Sequence, residues 1–127
     1  MMLYPALSNL TTMSSDYLRN SDVYIECDND SHDITLLFIS GIKQRQITMK
    51  CQKVLAYTMI RIPLDNTAPF FVGEVRFTEK PLNTILEKHH MMFAHAEEYP
   101  TILCIEVVGA IDATILCLEM DYSMHEL

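Results

Sequence analysis

Val23-Tyr24-Ile25-Glu26-Cys27-Asp28-Asn29-Asp30-Ser31-His32-Asp33-Ile34-Thr35-Leu36-Leu37-Phe38-Ile39 reads as two strands around a turn. Val23, Ile25 and Cys27 fall on one face of an extended chain and Tyr24, Glu26 and Asp28 on the other, the period-two pattern of a half-buried strand. Asp28 to Asp33 then supply short polar side chains that hydrogen-bond their own backbone in tight turns, and the apolar run Ile34 to Ile39 follows. This stretch predicts a β-hairpin.

The same pattern recurs downstream. Ile47, Met49 and Cys51 alternate with Thr48, Lys50 and Gln52, which predicts a third strand, and Val54 to Ile60 reads as strand, although a run this short suits a helical turn about equally. Pro63, Asn66 and Pro69 interrupt the chain before Phe71, Gly73, Val75 and Phe77 alternate again. Thr78 to Met92 is the best helix candidate: Thr78 can cap, Pro81 suits a first turn, and Leu82, Ile85, Leu86 and His89 recur at helical spacing. Ile102 to Val108, the pair Gly109-Ala110, and Ile111 to Met120 predict a C-terminal hairpin. Residues 1–21 lack clear periodicity, so a short helix near Ser15 to Leu18 and a loose N-terminal arm are equal readings.

The expected fold is therefore α+β: antiparallel β-hairpins forming one sheet, with one principal helix at about residues 79–92 packed on it. A chain of 127 residues fits one domain, 1–127, and half its residues are apolar, enough to close a core. An echo links the two hairpins. Val23-Tyr24-Ile25-Glu26 resembles Leu103-Cys104-Ile105-Glu106, and Asp33-Ile34-Thr35-Leu36-Leu37 resembles Asp112-Ala113-Thr114-Ile115-Leu116. Strands favour the same few residue types, so coincidence or convergent patterning explains such an echo better than a true repeat does.

The net charge is −8, and its distribution is uneven. Residues 1–33 carry six acids against Arg19 alone, residues 34–88 carry eight bases against four acids, and residues 89–127 carry seven acids and no base. Acidic ends argue against nucleic acid or an anionic membrane as the main partner, because both would repel most of this surface. The first residues hold no base before Arg19 and no sustained apolar stretch, and no apolar run approaches the ~18 residues that span a bilayer, so the expected compartment is the cytoplasm. Cys27, Cys51, Cys104 and Cys117 sit inside apolar or alternating runs without a C-x-x-C pair, which predicts four buried free thiols.

Motifs for chemistry are absent. His89, His90 and His95 crowd one stretch, but adjacent imidazoles diverge and neither reaches His95 at the i, i+4 spacing that converges on zinc. A Cys27–His32 pair is the one nucleophile arrangement the spacing leaves open, and no G-x-S-x-G elbow exists. Gly41, Gly73 and Gly109 are too far apart for a phosphate loop. Asp28, Asp30 and Asp33 begin like a calcium loop, yet the glycine at its sixth position and the closing glutamate are missing. The reading is non-enzymatic, with no metal or cofactor.

What remains is the acidic surface. A solvated, solubilising face accounts for it as well as a docking face does. As a docking face it comprises Glu26, Asp28, Asp30, Asp33, Glu97, Glu98, Glu106 and Asp112, with Tyr24 and Tyr99 as aromatic anchors for a basic protein partner. In size, acidity, hairpin-rich patterning and lack of catalytic motifs, the chain resembles the small acidic immunity proteins of bacterial contact-dependent growth inhibition systems. The resemblance implies a cytoplasmic inhibitor of a cognate basic toxin, usually a nuclease domain. The alternative is a small-molecule-binding or enzymatic α+β domain with a pocket near His89 and His90. Long two-faced apolar strands such as Ile102 to Val108 also suit a homo-oligomer.

Overall fold

A computed structural model describes residues 3–28, 30–82 and 101–127. Six antiparallel strands form a closed barrel in the order β1-β2-β3-β6-β5-β4. They are β1 (Asp22–Asp28), β2 (Asp33–Ser40), β3 (Arg45–Arg61), β4 (Phe70–Pro81), β5 (Thr101–Gly109) and β6 (Ile111–Glu126). Each half of the chain is a three-strand meander. The longest strands, β3 and β6, join the two meanders along fifteen registered pairs, from Arg45↔Glu126 to Arg61↔Ile111. The other seam is short: β1 meets β4 only through Asp22↔Phe71 and Val23↔Phe70.

The N-terminal segment completes that short seam. Helix α1 (Leu7–Met13) runs into a π-helical turn over Ser14–Leu18, closed by the Arg19 N–H to Ser14 carbonyl bond at 3.1 Å. This segment packs against β4 and β2 and buries Leu10, Met13 and Leu18 in the barrel core. Where β4 has no further β1 partner, Val72 N donates to Ser21 O at 2.8 Å, Asn20 N donates to Val72 O at 2.9 Å, and Ser14 Oγ donates to Val75 O at 2.5 Å. Backbone groups that closure would otherwise leave unpaired are thereby satisfied.

Alternation fills the interior. Val23, Ile34, Leu36, Phe38, Ile47, Met49, Leu103, Ile105 and Ile115 are all buried in one cluster, the arrangement that closes a barrel and removes most sheet edges. A smaller cluster joins buried Leu82, Ile102 and Leu118 with half-buried Leu55 and Leu116.

Several expectations change. The strand of Ile47 to Cys51 and the run Val54 to Ile60 are one strand, kinked at Lys53, whose φ is 53°, with the register shifting between Val54 and Ala56. Such a bulge lets one strand bend around a barrel. In β4 the buried face is Phe70, Val72, Val75 and Phe77, while Phe71 is exposed, because the register shifts between Val72 and Glu74. Helix at 79–81 is a misreading: Glu79, Lys80 and Pro81 pair with Leu103, Ile102 and Thr101 as the end of β4. Residues 83–92 of that expected helix lie outside the described residues. The final strand runs on to Glu126.

The echoed hairpins share one register. Tyr24↔Leu37, Ile25↔Leu36 and Glu26↔Thr35 match Cys104↔Leu116, Ile105↔Ile115 and Glu106↔Thr114. The symmetry of the strand order, however, relates β1-β2-β3 to β4-β5-β6 and so matches β1–β2 with β4–β5 instead.

Candidate functional site

Beyond Val23, β1 pairs with β2 alone, so Tyr24 to Asp28 form the outer limb of a hairpin whose far edge has no strand beside it among the described residues. Strand parity puts Val23, Ile25 and Cys27 toward the barrel axis and Asp22, Tyr24, Glu26 and Asp28 away from it. Tyr24 is 42% exposed, and Asp22, Glu26, Asp28 and Asp30 are exposed. The ion pairs among the described residues are Arg45–Glu126, Lys53–Glu119 and Arg76–Glu74, none of them on this hairpin.

The turn has its own internal chemistry. Asp28 Oδ1 accepts the N–H groups of Asp30 at 3.0 Å and Ser31 at 3.3 Å. The Ser31 side chain, these two amides and the nearby His32 hold the Asp28 carboxyl below its usual range. His32 takes a left-handed φ of 58° to close the turn, a conformation that non-glycine residues adopt sparingly. Asp33 is half-buried and lies opposite Asp28 in the register. Asp28 is therefore partly a turn-forming residue, whereas Glu26 and Asp30 are free to meet a partner.

Between this turn and the distal part of β3 lies a cleft of about 290 Å³ lined by Cys27, Asp28, His32, Asp33, Val54 and Tyr57, among others. Its size is at the lower limit of small-molecule sites. The thiol of Cys27 is pushed up by partial burial, with a hydrogen bond from Tyr57 opposing the shift. Cys27 and His32 do share the cleft, but a raised thiol is the opposite of an activated nucleophile. No group of three His, Cys, Asp or Glu side chains suited to a metal occurs among the described residues. Of the four free cysteines, Cys51, Cys104 and Cys117 are buried as expected; Cys27 is exposed, because β1 outruns the core at that point.

The remaining acidic candidates lie elsewhere. Glu106 on β5 faces Arg76 in the β4 register, and Arg76 is held protonated by Glu74, with Glu106 adding to the effect. Asp112, the second residue of β6, lies between Val108 and Ile60. In the strand order β3 separates β2 from β6, and β4 separates β5 from β1. Glu97, Glu98 and Tyr99 lie outside the described residues. Sequence reasoning missed Tyr57 and the cleft it lines, since only the barrel brings β3 beside the β1–β2 turn.

No family model matches the chain, and no curated protein matches its sequence. Among solved structures it is similar to an uncharacterized protein from Neisseria gonorrhoeae, with a TM-score of 0.53 at 15% identity, over 83% of this chain and 91% of that one. A likeness at that identity concerns the fold alone.

Proposed function

We propose that this protein is a non-enzymatic binding protein that docks a basic partner on its β1–β2 hairpin, and that the partner is a toxin nuclease domain which it neutralises as an immunity protein. The observation that carries the docking reading is the hairpin itself. Glu26, two residues from Tyr24 on the outer face of β1, and Asp30 in the turn stand exposed, with no counter-ion and, beyond Val23, no strand on the far side of β1 among the described residues. Unpaired carboxylates on the same hairpin as an aromatic anchor favour fast, oriented association with a positive surface. The toxin assignment rests on the resemblance in size, charge and hairpin patterning to contact-dependent immunity proteins.

Co-expression with the neighbouring genes, followed by affinity capture at low and moderate salt, tests the reading. A basic protein recovered stoichiometrically and lost as salt rises supports it; capture of no partner under either condition counts against it. With a partner in hand, reversing Glu26 and Asp30 to lysine is expected to slow association by about tenfold or more at low salt. It should also flatten the salt dependence.

The cleft beside Tyr57 favours a second reading, a small-molecule binding domain. The pocket first expected near His89 and His90 lies outside the described residues, so this cleft takes its place in that reading. A metabolite panel followed by thermal melting tests it, because a ligand of the folded state raises Tm. A shift that Tyr57→Ala abolishes would move the assignment to this reading.

A further inference from the structure

The distal part of β3 is paired on one edge only. From Ala56↔Leu116 to Arg61↔Ile111 its register partners all lie on β6. The β2 partners of β3 end at Cys51, and beyond that the Val54 N–H reaches the His32 carbonyl at 3.2 Å. Leu55 to Arg61 therefore present a row of backbone donors and acceptors with no strand beside them among the described residues. Ala56, Thr58 and Arg61 are exposed, and Tyr57 and Ile60 are 49% and 54% exposed.

Edge strands are normally protected by lysine, proline or inward charges, and a long apolar edge without them templates pairing with another chain. Val54 to Ile60 contain no acid, base, proline or glycine. The free edge of β1 differs, because Glu26 and Asp28 would meet like charges if it paired with itself. A basic partner finds no carboxylate on the β3 edge, and an acidic one finds only Arg61 at its end. The strand that suits this edge is one equally neutral and apolar.

We propose that the β3 edge pairs with the same edge of a second copy of this chain, antiparallel about a two-fold axis through Thr58. That register sets Thr58 against Thr58, Tyr57 against Met59, Ala56 against Ile60 and Leu55 against Arg61. Thr–Thr and aromatic–aliphatic cross-strand pairs are favourable ones, and Tyr57 against Met59 adds a sulfur–aromatic contact. The contact is isologous, so it closes at two copies. Because each copy carries a net charge of −8, screening strengthens the dimer, opposite to the salt response of an acidic hairpin on a basic partner.

Sedimentation velocity on the purified full chain, over a wide concentration range and at several salt concentrations, tests the pairing. The expected result is a monomer–dimer equilibrium that tightens as salt rises. Thr58→Lys, on an exposed outward position, is expected to weaken it about tenfold or more while leaving the melting transition unchanged at concentrations where the natural chain is monomeric, and mixing Thr58→Lys with Thr58→Glu should restore dimers. A monomer at every concentration and salt overturns the proposal, as does a dimer that Thr58→Lys leaves intact.

Discussion

The Tyr4 hydroxyl lies 2.7 Å from Thr101 Oγ1 and donates at 2.7 Å to Glu79 Oε1, tying the N-terminal segment to the start of β5 and the end of β4. Leu3 continues the tie, its carbonyl accepting the Met120 N–H at 3.0 Å. Tyr4→Phe removes the hydroxyl and is expected to cost about 1 kcal/mol of stability in urea denaturation. Its pH dependence follows from the direction of the shift. Burial, opposed by the Thr101 hydrogen bond, pushes the Tyr4 phenol from 10.0 up to about 12. The folded state holds that proton more tightly, so the contribution is complete below pH 10 and disappears as pH rises toward 12. Melting curves between those values should fall less steeply for Tyr4→Phe than for the natural chain. Parallel curves would assign the alkaline loss to another group.

Gly109 marks the place where β5, β4 and the β3–β4 loop meet. A Cβ there would overlap the Phe71 carbonyl and come within 2.9 Å of Gly73 N. The turn is further bound by Ala110 N to Phe71 O at 2.8 Å and Ile62 N to Ala110 O at 2.9 Å. All of these atoms are backbone, so no rotamer change relieves the overlap. Gly109→Ala should destabilise by about 1–3 kcal/mol. Gly41→Ala, with nothing within 4 Å of its new Cβ, should stay within about 0.5 kcal/mol of the parent chain.

These two sites also mark how far the sequence could be read. The β1–β2 and β5–β6 hairpins were legible from residues 23–39 and 102–120, because alternation records which side chains face a core. Closure was not. It depends on the single long partnership of β3 with β6, and Lys53 interrupts the alternation of β3 where the strand bends. The exposed Phe71 misled for the same reason, since a register shift at Gly73 swaps the faces of β4. Helix α1 escaped notice because Leu7-Ser8-Asn9-Leu10-Thr11-Thr12-Met13 has no charged face and no capping side chain; the core, by burying Leu10 and Met13, supplies what propensity does not. At the candidate site the acids of the β1–β2 turn were readable, but the partners Cys27 and Tyr57 find in the cleft are set by tertiary structure.

Cysteine labelling reports on that cleft. Cys27 is exposed and Cys51, Cys104 and Cys117 are buried, with Cys117 pushed far up by its hydrogen-bonded neighbour Cys51 and by burial. One equivalent of a thiol reagent should react with the native protein and the other three only on unfolding. Because burial raises the Cys27 thiol while Tyr57 opposes the shift, native labelling near neutral pH should be slower than for free cysteine. Tyr57→Phe should slow it further, since losing the hydrogen bond leaves the thiolate less favoured. Faster labelling in Tyr57→Phe would mean that the phenol acts as a cover and not as a hydrogen-bond partner.

Asp28 and Glu26 sit two residues apart on the same outer face of β1, yet they should respond differently to mutation. Asp28 spends its carboxylate on the turn, where the Ser31 side chain and the amides of Asp30 and Ser31 hold its pKa below the usual range. Its contribution to folding is present above the ordinary carboxyl pKa and is lost as pH falls through the depressed one. Asp28→Asn keeps an oxygen that can accept both amides and should leave the hairpin ordered, whereas Asp28→Ala should raise amide exchange at Asp30 and Ser31. Glu26 has no such bond among the described residues, so Glu26→Gln should leave the turn and its exchange rates unchanged. If the hairpin docks a basic partner, Glu26→Gln should nevertheless slow association at low salt, while Asp28→Ala should slow it through disorder of the turn at every salt concentration. A Glu26→Gln variant that associates as fast as the natural chain at low salt would mean that the hairpin acts by shape alone and that its charge is only solubilising.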